Sequence, residues 1–542
     1  MNDAIAAYER GDYVASARLL RPLADEGVSS AQYLLGKLYD DGHGVAQDFA
    51  KAVKWWRKAA IQGDASAQNS LGWMYAFGQG VLRDDAKAAK WYRKAAEQGN
   101  AKAQSNLGAM YRAGSGLPQD YVEALNWYRR SADQGYAPGQ IGLAIMCRNG
   151  EGTPQDDIEA VKWFRKAADQ AEPYAQFLLG KAYAAGNGVD QDFAAAARYF
   201  RKAADQGFEL AQFSLGTLYL DGLGVSQDHI EGARWYREAA EQGYRLAQKR
   251  LGDLYRDGQG VLKDYAEAAK WYREAADQGN CDAQFSLGVM YASGQGVPKD
   301  YSESASWYRL AADQGDADAQ RNLGAMYAGG YGVPQDSEEA ARLYRKAAEQ
   351  GNASAQFLLG VMYAGGQGVT QDYGEAAKWY RLAADMGNAD AQSNLGDMYA
   401  DGLGALQHYG EAIEWYLKAA DQGHALAQFR LALLFRDGLG VPQDYAEAER
   451  RCREAADQGH PHAQFLLGEM CERGHGMPED LVQAHKWYNL AASRLAAGDR
   501  DAAVRNREEV AEKLTPALST PERKCIGAPE RRCIGDERRK VV

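Results

Sequence analysis

The sequence predicts an all-α fold: a solenoid of about thirteen 36-residue helix–turn–helix repeats closed by helical caps. Three observations carry this. The dipeptide Ala-Gln, Gly-Gln once, begins at residue 31, again at 67 and 103, and every 36 residues to 463. Counting that first residue as slot 0, slot 4 is leucine in all thirteen copies, from Leu35 to Leu467. Slots 11 and 13 are glycine in all thirteen, from Gly42 and Gly44 to Gly474 and Gly476. Slot 17 is aspartate in twelve, with His408 the exception, and slot 24 is tryptophan in ten, replaced by Tyr199, Leu343 and Arg451.

The elements follow in chain order. Residues 1–30 lack the glycine-pair insert: Tyr8 reaches Tyr13 in five residues, whereas Tyr39 reaches Phe49 in ten. They predict a capping hairpin. Residues 31–498 hold the thirteen repeats. In the copy from Ala283, Leu287, Met290 and Tyr291 share one helical face, and Gly294 ends that helix in the left-handed conformation. Asp300 then caps a second helix with Glu303 three residues on, an arrangement repeated at Asp264/Glu267, Asp372/Glu375 and Asp444/Glu447 that predicts a capping box. The buried stripe of that helix is Ser304, Trp307, Tyr308, Ala311 and Ala312, small residues giving close approach and the indole filling the space between helices. Residues 499–515 read as a charged capping helix that shields the last apolar face. Residues 516–542, with the near-duplicate octets PERKCIGA and PERRCIGD, read as a disordered basic tail. Residues 136–185 are expected to be the weakest stretch, since Gly139, Ala144, Cys147 and Ala171 all depart from the repeat there.

Composition excludes several classes. The net charge of −12 leaves the first 515 residues with 55 Lys/Arg against 70 Asp/Glu, which disfavours nucleic acid as a partner. No apolar run is long enough to span a membrane, and "MNDAIAAYERGDY" has no secretory pattern. The six cysteines do not recur once per repeat, so no disulfide ladder is expected and the localisation expected is cytoplasmic. A monomer is favoured.

Repetition also disposes of the tempting chemistry. A Gly-x-Gly before a helix can cradle phosphate, but no strand precedes it and no Lys-Ser/Thr or third glycine follows, so the pair reads as a turn. The aspartates of slot 17 read as caps rather than converging carboxylates, and the Trp-Tyr stripe as core rather than a stacking platform. His424, His460, His462, His475 and His485 lie near Cys452 and Cys471, yet His460 and His475 flank opposite ends of one helix, too far apart to share a zinc ion. Cys147 and Cys471 stand where the repeat has tyrosine, which suggests buried thiols. Cys525 and Cys533 in the tail are candidate reactive thiols. No cofactor, no metal and no catalytic residue is expected.

The pattern A-x-A-Q-x-x-L-G-x-M-Y-x-x-G-x-G-V-x-x-D-x-x-x-A-x-x-W-Y-x-x-A-A-x-x-G resembles the SEL-one-like repeat (SLR) family, relatives of tetratricopeptide repeats, over roughly nine-tenths of the chain. The resemblance implies a right-handed α/α superhelix and a non-enzymatic scaffold or adaptor for a protein or peptide partner, in bacterial signalling or complex assembly. A cysteine-rich branch of similar repeats is associated with β-lactam binding or hydrolysis; its cysteine pair per unit is absent here, as is any Ser-x-x-Lys nucleophile arrangement. An envelope- or polysaccharide-associated structural adaptor is the other alternative.

By analogy with tetratricopeptide helices, the concave face is lined by slots 2, 6, 9 and 10 of each first helix, where this chain varies while its core repeats. Slot 2 supplies Tyr33, Phe177, Phe213, Phe285, Phe357, Phe429 and Phe465; slots 6 and 10 supply Trp73 and Phe77; slot 9 supplies Arg112, Arg148, Arg256 and Arg436. Aromatic and arginine residues are the usual composition of interaction hot spots. The slot-2 rings are equally suited to packing against the next repeat, which leaves the arginines as the stronger candidates.

Overall fold

A computed structural model of the chain describes residues 1–519. Among them are 29 helices and no strand. Two helices, Asn2–Glu9 and Tyr13–Asp25, precede the first repeat; thirteen pairs of 12- or 13-residue helices follow, and a final helix runs Ala497–Ser519, past the expected end at residue 515. Most of the expected tail, with Cys525 and Cys533, lies outside the described residues. The first helix of each pair is called A below and the second B. The chain divides into two compact units, one of Met1–Ala283 with Gln295–Pro298, the other of Gln284–Gly294 with the chain from Lys299 onward.

Within a repeat the local chemistry is uniform. In the second repeat, helix A spans Ala65–Phe77 and helix B spans Asp85–Glu97. The two loop glycines between them do different work. Gly78, at φ 71°, ends helix A in the left-handed conformation, its amide donating to the Met74 carbonyl. Gly80, at φ 65°, lies against the preceding repeat: a Cβ there would sit 2.4 Å from the carbonyl carbon of Phe49, at the start of the earlier B helix. The first glycine is a conformational requirement and the second a steric one between repeats.

The aspartate caps form as expected, but the capping box does not. Asp300 accepts from the Glu303 amide at 3.1 Å, while its own amide donates to the Tyr291 carbonyl at 3.0 Å, and the amides of Asp264, Asp372 and Asp444 are taken in the same way by Tyr255, Tyr363 and Phe435. With that amide already paired inside the repeat, the residue three positions on has nothing to close. The glutamates go elsewhere: Glu123, Glu159 and Glu231 accept from the indole N–H of Trp127, Trp163 and Trp235 at 2.8–3.1 Å.

The core is apolar at slots 0, 4, 7, 21, 25, 28 and 29 apart from the buried Ser131 and Ser304, and one polar residue recurs within it. The slot-1 glutamine of every repeat is almost fully buried. Its amide nitrogen donates to an alanine carbonyl of the preceding B helix, as from Gln68 to Ala60 at 3.0 Å. Its oxygen accepts from the glutamine thirty residues on, as from Gln98 at 2.7 Å. Burying a side-chain amide is costly unless both ends are paired, and here both are. The pairing fails twice. Met386 and Arg494 stand where the second glutamine belongs, and Gln356 Oε1 and Gln464 Oε1 are buried with no hydrogen-bond partner.

Arginines at slot 26 tie B helices to the following repeat through neutral phenols. Arg57, Arg165, Arg237 and Arg309 donate to the hydroxyls of Tyr75, Tyr183, Tyr255 and Tyr327 at 2.6–2.8 Å. Cys147, Cys452 and Cys471 are buried free thiols, as expected of residues replacing aromatics, and Cys281 is half-buried. Burial raises the pKa of all three buried thiols, Cys471 to about 11, so none is a ready nucleophile near neutral pH.

Candidate functional site

Helix A leaves slots 6 and 10 fully or partly open in every repeat, and slots 2 and 3 in most, while slots 0, 1, 4, 5 and 7 are buried. On that face the expected residues fall into three groups. Trp73 and Phe77, 45% and 58% exposed, lie against each other with ring centroids 4.0 Å apart. They form an apolar projection on the second A helix, fixed by i,i+4 spacing.

The slot-2 rings behave differently. Phe177 is buried, and Phe213, Phe285 and Phe357 are half-buried. Each packs on the slot-25 ring of its own B helix: Phe177 on Phe200 at 5.8 Å, Phe213 on Tyr236 at 5.1 Å, Phe285 on Tyr308 at 5.8 Å and Phe357 on Tyr380 at 5.9 Å. Phe177 and Phe213 also meet Phe208 and Tyr244, at the threshold of the following repeat. These rings fill a seam and expose one edge.

The slot-9 arginines are brought to the face but three are already neutralised. Arg112 makes a two-point bond to Glu151 of the next repeat at 2.5 and 3.1 Å. Arg256 and Arg436 do the same with their chain neighbours Asp257 and Asp437, at 2.8 and 2.9 Å and at 2.6 and 2.8 Å. These bonds hold the carboxyls of Glu151 and Asp257 below the usual range. Arg148 instead lies over the Phe164 ring, 5.8 Å from its centroid, beside a cavity of about 210 Å³ that Lys181 and Asp157 also line. A partner's carboxylate would displace an existing ion pair at Arg112, Arg256 or Arg436; only at Arg148 would it meet a guanidinium without one.

Sequence reasoning passed over two polar features. A hollow of about 460 Å³ in the first unit is lined by Tyr33, Asn69, Ser70, Lys102, Tyr136 and Gln170 among others, with Asn106 donating to Asn69 across neighbouring A helices at 3.1 Å. Acidic residues at slot 6 accept from slot-25 phenols, Asp253 from Tyr272 at 2.8 Å and Asp397 from Tyr416 at 2.6 Å. Aspartate at a slot that is apolar or basic in nine of the other eleven copies was the available signal. The late histidines serve as caps: Nδ1 of His408, His424 and His460 accepts the amide of Glu411, Ala427 and Ala463 at 3.0–3.2 Å. His460 and His462 have ring centroids 6.1 Å apart, and His475 lies against Tyr445.

Comparison with known proteins follows this geometry. The family model of the Sel1 repeat matches thirteen consecutive segments from 29–64 to 461–494. The chain is similar to a crystal structure of a protective antigen from uropathogenic Escherichia coli strains displaying an SLR fold, at 36% identity and TM-score 0.70, covering 82% of this chain and 99% of that one. It is also similar to a Sel1 repeat protein from Oxalobacter formigenes, at 35% identity and TM-score 0.46, over 57% of this chain and 89% of that one. No curated protein matches the sequence. No helix among the described residues is long and apolar enough to cross a membrane.

Proposed function

Because the chain belongs to the Sel1 repeat family, whose members are generally protein-interaction scaffolds, we propose that it is a non-enzymatic adaptor holding a protein or peptide partner along its helix-A face. One observation carries the reading: the slots that build the core recur from repeat to repeat, while the open helix-A slots differ and include the exposed Trp73–Phe77 pair. A partner docking there would bury two aromatic rings, the usual anchors of an interface. The arginines act as selectivity elements, since an acidic partner gains contact at Arg112, Arg256 and Arg436 only by exchanging for Glu151, Asp257 or Asp437, and without exchange at Arg148 alone of the four. In this reading the helices before and after the repeats are caps; Val510 of the last helix is fully buried.

Cross-linking mass spectrometry of partners captured from the native host tests the proposal. Replacing Trp73 and Phe77 together by alanine is expected to weaken capture by about 2 kcal/mol or more, with helicity unchanged. Undiminished capture by that variant overturns the helix-A reading. The envelope-associated alternative draws on the similar protein being described as a protective antigen; recovery of this chain and its partner in the envelope fraction would favour it over the expected cytoplasmic adaptor.

A further inference from the structure

The first five B helices, Phe49–Ile61, Asp85–Glu97, Tyr121–Asp133, Asp157–Ala168 and Phe193–Ala204, form an unbroken run of one basic pattern, which returns with three cations and no acid only in the ninth repeat, as RLYRK, where Arg342 is paired with Glu339. Slots 23–27 read KWWRK, KWYRK, NWYRR, KWFRK and RYFRK: fourteen cations and no acid in five consecutive repeats. Thirteen of the fourteen are exposed, Arg201 being half-buried. The sixth and seventh repeats read RWYRE and KWYRE, placing Glu238 and Glu274 at slot 27.

What holds these cations matters more than their number. At slot 27, each stands over the aromatic ring of its own helix: Lys58 over Trp55 at 4.4 Å, Lys94 over Trp91 at 4.5 Å, Arg130 over Trp127 at 4.7 Å, Lys166 over Trp163 at 3.8 Å and Lys202 over Tyr199 at 5.2 Å. At slot 26, Arg57, Arg93, Arg165 and Arg201 donate to tyrosine hydroxyls of the next repeat. Ring faces and phenols immobilise a cation without cancelling its charge. In slots 23–27 of these five repeats the one ion pair is that of Lys162 with Glu159, at 3.0 Å. On the second repeat Lys87, Lys90, Arg93, Lys94 and Trp91, together with one acid, Glu97, line an open hollow of about 690 Å³.

We propose that this helix-B face of repeats one to five is a second binding surface, for an extended acidic segment of a protein partner. It is independent of the helix-A face. Successive B helices offer one rung every ~10 Å, the usual scale of helix packing. A polyproline-II segment returns to the same side every third residue, after about 9.3 Å. Carboxylates at every third position of such a segment, over about thirteen residues, would meet all five rungs. Pre-ordered cations lower the entropy lost on binding, and each guanidinium keeps a free edge for a carboxylate. Single-stranded nucleic acid fits less well, because the indole faces it would stack on carry the protein's own lysines and arginines. A lipid surface fits less well too, since Trp55 and Trp127 lie buried beneath those cations and offer no apolar anchor.

The test uses the full chain and a fluorescent peptide of about fifteen residues built from Glu-Pro-Ser triplets, with Gln-Pro-Ser as its neutral counterpart. The acidic peptide is expected to bind, the neutral one not, and affinity to fall as salt rises. The K58E/K94E/K166E variant should lose roughly tenfold or more, K58Q/K94Q/K166Q less, and K346E/K418E nothing. Circular dichroism checks that helicity is retained. Peptide binding that is absent, or unaffected by both triple variants, overturns the proposal. So does preferential binding of a single-stranded oligonucleotide or of phosphatidylglycerol vesicles.

Discussion

Replacing Met386 by glutamine should repair the one break inside the glutamine ladder. Gln356 is 5% exposed; its amide nitrogen reaches the Ala348 carbonyl at 3.1 Å, but its oxygen has no hydrogen-bond partner. In the next repeat the same acceptor, on Gln392, takes a bond from Gln422 at 2.8 Å. The backbone at Met386, φ −83° and ψ 3°, matches that at Gln98, φ −82° and ψ 3°, so glutamine enters without adjustment. Met386 is 58% exposed, so little apolar burial is lost. Satisfying a buried acceptor is worth about 1 kcal/mol net, which slows local opening about fivefold. Hydrogen exchange across helices Tyr373–Asp385 and Ala389–Asp401 reads this directly, whereas a global melting curve of a solenoid need not be two-state. The mirror variant Gln422→Met should speed exchange one repeat later by a similar or larger factor. Unchanged or faster exchange in Met386→Gln would show that solvent already serves Gln356, and the ladder argument would fail.

Three further outcomes follow from the structure. Ala171 is the one described non-glycine residue at positive φ, 64°, so Ala171→Gly should stabilise the junction after the fourth repeat by about 1 kcal/mol and slow the exchange expected to be fastest across residues 136–185. Gly80→Ala should destabilise the first two repeats by more than about 2 kcal/mol, because its Cβ meets Phe49 backbone. Gly63→Ala, at φ 96° with open space around it, should cost only about 1 kcal/mol; equal losses in a denaturant series would refute the inter-repeat role of Gly80. Burial, helped by His462, Arg430 and His424, lowers the pKa of His460, so its neutral cap contributes fully above about pH 6.5 and is lost as pH falls through the lowered value. His460→Asn should keep the cap and flatten that dependence in melting curves; an unchanged pH profile would place the titration elsewhere.

The legible part of this fold was whatever one residue imposes on its own backbone. Gly78 must turn left, Asp84 must cap, Leu71 must be covered, and each leaves its mark at every thirty-sixth position. Contacts between distant residues were less legible. The glutamine at slot 1 served to index the repeat, and its partner thirty residues on recurs in eleven of thirteen copies. Two polar residues in fixed register beside an apolar core were the signal for a buried ladder. The role of Glu303 was misread because the competing acceptor, the Tyr291 carbonyl, reaches the Asp300 amide from nine residues away. The candidate site divided in the same way: exposure of Trp73 and Phe77 follows from helical phase, but Arg112 meets Glu151 across 39 residues, which no local pattern announces.

The same side chain therefore has opposite electrostatic meanings on the two helices of a repeat. An arginine on helix A beside Asp257, Asp437 or Glu151 contributes almost no field beyond its own ion pair. An arginine or lysine on helix B, held by a phenol or an indole, keeps its full charge pointing outward. The balance of 55 cations against 70 anions in the first 515 residues averages these cases and hides the distinction. Screening prevents the average from acting. At physiological salt a charge is felt over about 8 Å, while one helix with its side chains is about 10–12 Å across. Carboxylates on the A face thus lie more than one screening length from the cations of the B face. An acidic partner approaching the first five B helices meets a local basic strip, even though the chain as a whole is strongly negative.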